Sequence, residues 1–173
     1  MPHNVTTRTA TAADLGEIGR LHADVFGPGR FARTAYRVRE GTPDLSQFCR
    51  VALIGARIIA AVRLTRVHIG QQSAALLLGP LAVDPELKGQ GYGRQLVAEA
   101  LEAARAAGIA LVVLVGDEPY YGKLGFVRVP PDQITLPGPV DPARLLAAEL
   151  APGALAATRG QVTSAAGLTA APQ

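Results

Sequence analysis

Tryptophan is absent, cysteine and methionine occur once each, and aromatic residues make up 5% of the 173. Ala, Val, Leu and Ile must therefore build the core. The single cysteine, Cys49, excludes an intramolecular disulfide framework and a cysteine-rich zinc site. His3, His22 and His68 are too scattered for local metal-ligand spacing. Met1 to Asp14 is polar and has no apolar h-region, so no signal peptide is expected. The longest uncharged internal stretch, Val67 to Val83, is interrupted by Gln71-Gln72-Ser73 and by Gly79-Pro80, which argues against a membrane span. These absences point to a soluble, cytoplasmic protein without a membrane partner.

What is present is a chain with 49% hydrophobic and 18% charged residues and a mean hydropathy of +0.21. That balance excludes wholesale disorder. The length suits one domain, and a chain of this size buries roughly 70% of its unfolded surface. Lys and Arg number 17 against 14 Asp and Glu, a net charge of +3. So small an excess argues against nucleic acid as partner. Arg30, Arg33, Arg37 and Arg39 form a cluster that reads as a solvated face or as a rim attracting an anion.

The first half of the chain, up to Val83, reads as an antiparallel meander. Val5 to Thr9 is a strand; Thr11 and Asp14 begin a helix through Leu15, Ile18, Leu21 and Val25, stopped at Gly27-Pro28-Gly29. Phe31, Ala35 and Val38 suggest a shorter second helix. Arg50 to Ile54 and Arg57 to Val67 are strands joined at Gly55-Ala56. A turn over Gly70 to Ser73 leads to a strand over Ala74 to Val83. Helix Arg94 to Ala107 and strand Ile109 to Val115 then complete a right-handed crossover, which makes the last pair parallel. Gly116 to Gly125 is a turn with at most a short helix, and Phe126 to Val129 is a short strand. Ile134 to Leu136 is extended. Leu145, Leu146 and Leu150 have near-helical spacing, and Ala154 to Val162 is a helix turn followed by a closing strand. The domain is expected over 1–162, with 163–173 as a flexible tail.

Two adjacent features carry chemistry. Pro80 has no N–H, so within a strand it implies a bulge or an edge. A bulge there leaves backbone groups near Leu81, Ala82 and Val83 in need of partners. Immediately after it, Lys88-Gly89-Gln90-Gly91-Tyr92-Gly93-Arg94 precedes the amphipathic helix. Glycines allow close backbone approach, and the first N–H groups of a helix favour an anion, phosphate above all. A Walker loop is excluded because no Gly-x-x-x-x-Gly-Lys-Ser/Thr run occurs. A dinucleotide fingerprint fails because Gly93 stands one position early and the loop follows antiparallel strands.

Leu81 to Leu96 resembles the acyl-CoA-binding segment of the GNAT N-acetyltransferase superfamily. Lys88 stands at its Arg/Gln position, and Gly91 and Gly93 stand at its glycines. Pro119-Tyr120-Tyr121-Gly122-Lys123-Leu124-Gly125-Phe126 resembles the Tyr-x-Lys-x-Gly-Phe segment that follows in that superfamily, with wording similar to its YhbS-like branch. Two departures stand out: Lys88 replaces Arg or Gln, and the Asn common before the tyrosine helix is missing. The resemblance implies an α/β fold of α+β flavour, a mixed and mostly antiparallel sheet splayed at a bulge and flanked by helices.

The resemblance also implies acetyl-CoA as co-substrate, no metal, and a small-molecule or peptide amine as acceptor. Backbone at Leu81, Ala82 and Val83 would hold the acyl arm, and Lys88, Gly89, Gln90, Gly91, Tyr92, Gly93 and Arg94 the pyrophosphate, with Lys123 nearby. Tyr121 matches the catalytic tyrosine by register, with Tyr120 as its neighbour and rival. Asp117 and Glu118 are candidate bases, or else acids favoured by a helix dipole. Glu40, His68 and Tyr36 serve only if the fold brings them close. Cys49 reads as a core residue. A catalytically silent acyl-CoA-binding sensor or partner-binding module fits the same motifs. An RNA-directed acyltransferase is the weaker third reading. Acceptor choice is expected to reside in Pro28 to Leu45 and after Pro130, and a homodimer is left open.

Overall fold

A computed structural model describes residues 4–27 and 45–165. The arginine cluster, the helix expected around Phe31 to Val38, Tyr36, Glu40, His3 and the chain beyond Ala165 lie outside the described residues. The elements are β1 (Val5–Thr9), α1 (Leu15–Phe26), β2 (Arg50–Ile54), β3 (Arg57–Ile69), β4 (Gln72–Val83), α2 (Tyr92–Ala106) and β5 (Leu111–Val115). There follow α3 (Glu118–Tyr121), β6 (Val127–Arg128), β7 (Ile134–Thr135), β8 (Leu145–Glu149), α4 (Ala154–Ala157) and β9 (Gly160–Ser164). The sheet runs β1-β2-β3-β4-β5-β8-β6, and β9 pairs with both β3 and β7. Only β4/β5 and β7/β9 are parallel among these pairs. The mixed, mostly antiparallel sheet with flanking helices agrees with the fold expected from the motifs.

Two layers cover the sheet. On one face, α2 buries Leu96, Val97, Ala100, Leu101 and Ala104 against Ile59, Val62, Leu64, Leu76 and Val112. On the other, α1 lies over Cys49, Val51, Ile58, Ala61 and Ala82. The far end of that second face is closed by Ile134 and Val162, packed on Val67, Leu77, Leu111 and Val113. Ala, Val, Leu and Ile side chains thus fill the core, with Phe48 and Phe126 the two aromatics buried in it among the described residues.

The splay of the sheet is set by β4. Its register to β3 shifts between Val62↔Leu81 and Leu64↔Leu78, so Gly79 and Pro80 together oppose Arg63. The Gly79–Pro80 peptide is cis. On its other edge β4 meets β5 only at Ala75, Leu76 and Leu77. β5 continues to Val115 paired with β8 instead. From Leu78 onward, that edge of β4 faces an opening in the sheet.

Three expectations are corrected. Leu145 to Glu149 is a central strand, not a helix. Leu145, Leu146, Ala147 and Ala148 are buried on both faces, so no alternation marks the strand. α2 begins at Tyr92, two residues before the expected start, because Gly91 at φ +90° is its N-cap. β9 runs on through Thr163 and Ser164, which pair with His68 and Val67, two residues past the expected end of the closing strand at Val162.

The entry to α1 carries a testable contribution. The Asp14 carboxylate accepts from Arg8 Nη1 at 2.7 Å and Nη2 at 2.9 Å, and from the Thr11 backbone N–H at 2.7 Å. These hydrogen bonds, the Arg8 fork first, hold its pKa far below the usual carboxylate range. Asp14→Asn is expected to lower stability by roughly 1.5 kcal/mol at neutral pH. A depressed folded-state pKa stabilises above the unfolded value of about 3.9 and ceases to do so as pH falls through the folded value. Urea denaturation should therefore show the gap between wild type and variant intact at pH 5 and 7 and shrinking below about pH 4. A gap that persists unchanged in acid would contradict the assignment.

Candidate functional site

A cleft of about 1510 Å³ passes through the opening beside β4. It exceeds the roughly 300–1,000 Å³ of a site for one small ligand, so it has room for two reactants. On the α2 side it is lined by Leu81, Val83 and the loop Lys88 to Arg94. On the α1 side it is lined by Ile18, His22, Phe26, Ala61 and Arg63, and Gly79 and Pro80 lie between the two sides. The far rim carries Gly116, Asp117, Tyr120, Tyr121, Asp141 and Arg144.

The backbone of β4 is open toward this cleft at alternate residues. The Asp84 N–H donates to Ile59 O at 2.8 Å, and Val83 stands opposite Ala60. Hydrogen bonding alternates along an antiparallel pair. Ala82 therefore bonds to Ala61, while Leu81 and Val83 turn their N–H and C=O groups toward the edge that β5 has left. The Ala82 side chain is buried under α1.

The loop to α2 is anchored from below. The Asp84 carboxylate accepts from the Glu86 N–H at 3.0 Å and pairs with Arg57, and Leu87 is buried. Gly89 and Gly91 follow at φ +82° and +90°, which glycine alone adopts without strain. Gln95 N–H makes the first helical bond, to Gly91 O at 3.0 Å. The N–H groups of Tyr92, Gly93 and Arg94 precede it and have no intrahelical acceptor. The first turn carries no acid to offset the dipole. Free amides and an unopposed helix dipole are the chemistry that favours an anion.

Gly93 lies inside α2, and its missing side chain decides the packing. A Cβ there would fall 2.7 Å from Tyr120 Oη, 3.2 Å from Val83 Cγ2 and 3.4 Å from Leu81 Cδ2. The glycine lets α2 close on β4 and lets the Tyr120 hydroxyl rest against its first turn. The Arg94 guanidinium stands 5.3 Å from the centre of the Tyr120 ring.

Both tyrosines sit on α3, a single turn begun by Pro119. Their rings meet edge-on, with centres 4.8 Å apart. Tyr121 is the deeper, packed edge-on against Phe126 at 5.7 Å and against Gly116, where a Cβ would fall 2.6 Å from its ring. Burial raises the pKa of Tyr121 strongly, reinforced by Tyr120 and Asp117. Burial also raises Tyr120, with Arg94 opposing. Both phenols are therefore protonated at neutral pH and available as donors.

The acidic candidates separate. Asp117 lines the cleft but is 75% exposed and lies 3.4 Å from Arg144. Glu118 pairs with Arg128 at 2.9 Å and lines a shallow depression adjoining the cleft rim instead of the cleft itself. Lys123 is exposed and does not line the cleft. His68 lies on β3 beside β9, away from it. Cys49 is buried with Sγ 3.6 Å from Leu64 O, as a core residue. Arg63, His22 and Arg144 line the cleft without having been singled out. The one sequence signal for Arg63 is a charge inside an apolar strand. Among the described residues, no group of three His, Cys, Asp or Glu is placed to hold a metal, and no helix is long and apolar enough to cross a membrane.

The chain is similar to known proteins in sequence and in fold. The model of the acetyltransferase (GNAT) domain matches residues 46–128. The chain is 38% identical over 71 residues to the uncharacterized N-acetyltransferase YhbS of Escherichia coli K12, a stretch that is 40% of this chain and 42% of YhbS. The chain thus aligns with less than half the length of that curated relative. It is 26% identical over 127 residues to the uncharacterized N-acetyltransferase YjhQ of the same organism, covering 72% of this chain and 70% of YjhQ. The crystal structure of Escherichia coli YhbS in complex with CoA superposes with a TM-score of 0.81 at 25% identity, over 99% of this chain and 96% of that one. A GNAT acetyltransferase from Brucella melitensis in complex with acetyl-CoA shares the fold, with a TM-score of 0.70 at 23% identity over 95% and 99% of the chains. Residues 46–128 thus match the acetyltransferase (GNAT) domain, and the chain takes the fold of solved GNAT acetyltransferases.

Proposed function

We propose that this protein transfers an acetyl group from acetyl-CoA to a primary amine of a small molecule or peptide. The observation that carries the reading is the continuity of one cleft. It joins the open edge of β4, the N-terminal turn of α2 and two protonated tyrosines. Relatives in complex with CoA or acetyl-CoA support the choice of donor. Leu81 and Val83 offer backbone groups to the amides of the pantetheine arm, as a strand added to a sheet edge. The amides of Gly89 to Arg94, with Lys88 and Arg94 beside them, suit the pyrophosphate.

In the reaction a neutral amine nitrogen attacks the thioester carbonyl. The C–N bond forms, the C–S bond breaks, the nitrogen loses a proton, and the thiolate takes one up. Holding both reactants in one cleft removes much of the bimolecular barrier. The N–H at Val83 stabilises the developing oxyanion. Tyr121 donates its proton or a hydrogen bond to the departing thiolate.

Titration calorimetry tests the reading. Acetyl-CoA is expected to bind at one site per chain, and CoA to be released on addition of amines. A protein that gives no binding heat with acetyl-CoA overturns it. A second reading, a silent acyl-CoA-binding protein, draws on the engagement of Asp117 and Glu118 in ion pairs. Binding without CoA release across the amine panel would select it.

A further inference from the structure

We propose that Arg57 is a positioning residue for the donor: through Asp84 it fixes the loop Lys88 to Arg94 against the open edge of β4. This rests on the acetyl-transfer reading above. The segment Asp84 to Leu87 joins the two stretches that face the donor, and each polar group of Asp84 is committed. Its N–H donates to Ile59 O at 2.8 Å, and its C=O accepts from the Leu87 N–H at 2.8 Å. One carboxylate oxygen accepts from the Glu86 N–H at 3.0 Å, and the other pairs with the Arg57 guanidinium. Asp84 is 8% exposed, so its charge is largely withdrawn from water. A carboxylate buried to that degree needs a cation, and Arg57 is the one paired with it among the described residues.

The loop beyond Leu87 depends on its ends. Lys88, Gly89, Gln90 and Gly91 are exposed, and a Cβ on Gly89 or Gly91 would meet no atom within 4 Å. At the far end, Gly93 packs on Leu81 and Val83. At the near end stand buried Leu87 and the pair of Asp84 with Arg57. Arg57 is itself delivered from a fastened hairpin. It opens β3 opposite Ile54, and the Ile58 N–H beside it donates to Glu17 Oε2 of α1 at 2.7 Å. Glycines lose more conformational freedom on ordering than any other residue. Amides already held in place spare the ligand that cost, and amides released from an anchor charge it to affinity.

Calorimetry with CoA separates position from charge. Arg57→Gln is expected to weaken CoA binding about 5-fold, the upper end for a partly exposed ion pair. Asp84→Ala loses the pair and the bond to Glu86 together, and should weaken CoA about 10-fold or more. That change also removes a negative charge near an anionic ligand, so charge alone would tighten binding. Arg57→Lys should recover part of the loss. The double variant should bind as Asp84→Ala does, since both changes act through one contact. Pantetheine has the arm without the pyrophosphate, and its affinity, read by displacement of CoA, should be alike in every variant. Thermal melting establishes that each variant is folded. The Arg57 side chain is 60% exposed, so its variants carry the test if Asp84→Ala does not fold. The assignment is overturned if Arg57→Gln leaves CoA affinity unchanged, if Asp84→Ala folds and binds CoA as tightly as the wild type or more so, or if pantetheine weakens in step with CoA. Those failures with wild-type CoA binding intact leave the acetyl-transfer reading standing; absence of CoA binding in the wild type removes both.

Discussion

Tyr121→Phe is expected to lower kcat by about 100-fold or more while changing the KM for acetyl-CoA little. The phenyl ring keeps its place against Gly116 and Phe126, so the variant loses one hydroxyl and no packing. Tyr120→Phe should reduce kcat by less than about 10-fold, below the range of a lost proton donor, because its hydroxyl rests on the first turn of α2. If the two variants exchange these effects, Tyr120 is the donor and Tyr121 anchors α3. The pH profile gives an independent reading. An acid is active in its protonated form, and activity falls as pH rises through its pKa. Burial raises the pKa of Tyr121 well above the ordinary tyrosine value of about 10. Turnover should therefore climb between pH 7 and 10 as the amine loses its proton, then level off. A descending limb near pH 8 or 9 in the wild type would be incompatible with this assignment.

Gly160→Ala is expected to destabilise the protein by about 3 kcal/mol or more, lowering Tm by roughly 6–12 °C. Gly160 enters β9 at φ +128° and crosses the β3–β4 turn at Gly70, whose φ is +57°. A Cβ on Gly160 would fall 2.6 Å from Gly70 Cα and 2.9 Å from Gly70 N. A Cβ on Gly70 would fall 2.0 Å from Arg159 O. The obstructing atoms are backbone on both sides, so relief requires moving β9 away from β3. That movement strains the pairs Val67↔Ser164 to Ile69↔Val162 and the Gly70 N–H to Gln161 O bond of 3.2 Å. Gly55→Ala provides the comparison. Its φ is +60°, but open space surrounds the site, so only the backbone contribution of about 1–2 kcal/mol applies. Equal losses in the two variants would show that the close crossing contributes nothing.

Legibility in the sequence followed the range of the interactions. The hairpin at Gly55-Ala56, the box at Thr11 and Asp14, and the interruption at Gly79-Pro80 are local, and each was readable from neighbouring residues. β8 was not, because its apolar run is buried on both faces by elements distant in sequence. The close pass of Gly70 and Gly160 was equally hidden, since nothing in a turn glycine names the strand that will cross it. The acidic residues of α3 show the same limit. Asp117 and Glu118 are adjacent in the chain, yet one lines the cleft and the other turns to Arg128.

The sequence by itself determined the acetyltransferase-domain motifs, the interrupted strand and the glycine-rich entry to α2. Each depends on the chemistry of consecutive residues: a proline without an N–H, glycines at positive φ, and the free amides of a helix start. Tertiary structure alone decided which side chains face the opening. The register of β3 on β4 set Arg63 at its α1 side and opened the backbone at Leu81 and Val83 instead of Ala82. The approach of α2 to β4 at Gly93 set the Tyr120 hydroxyl against the first turn of α2. A strand places its side chains by pairing with partners far along the chain, and local sequence carries no record of that pairing.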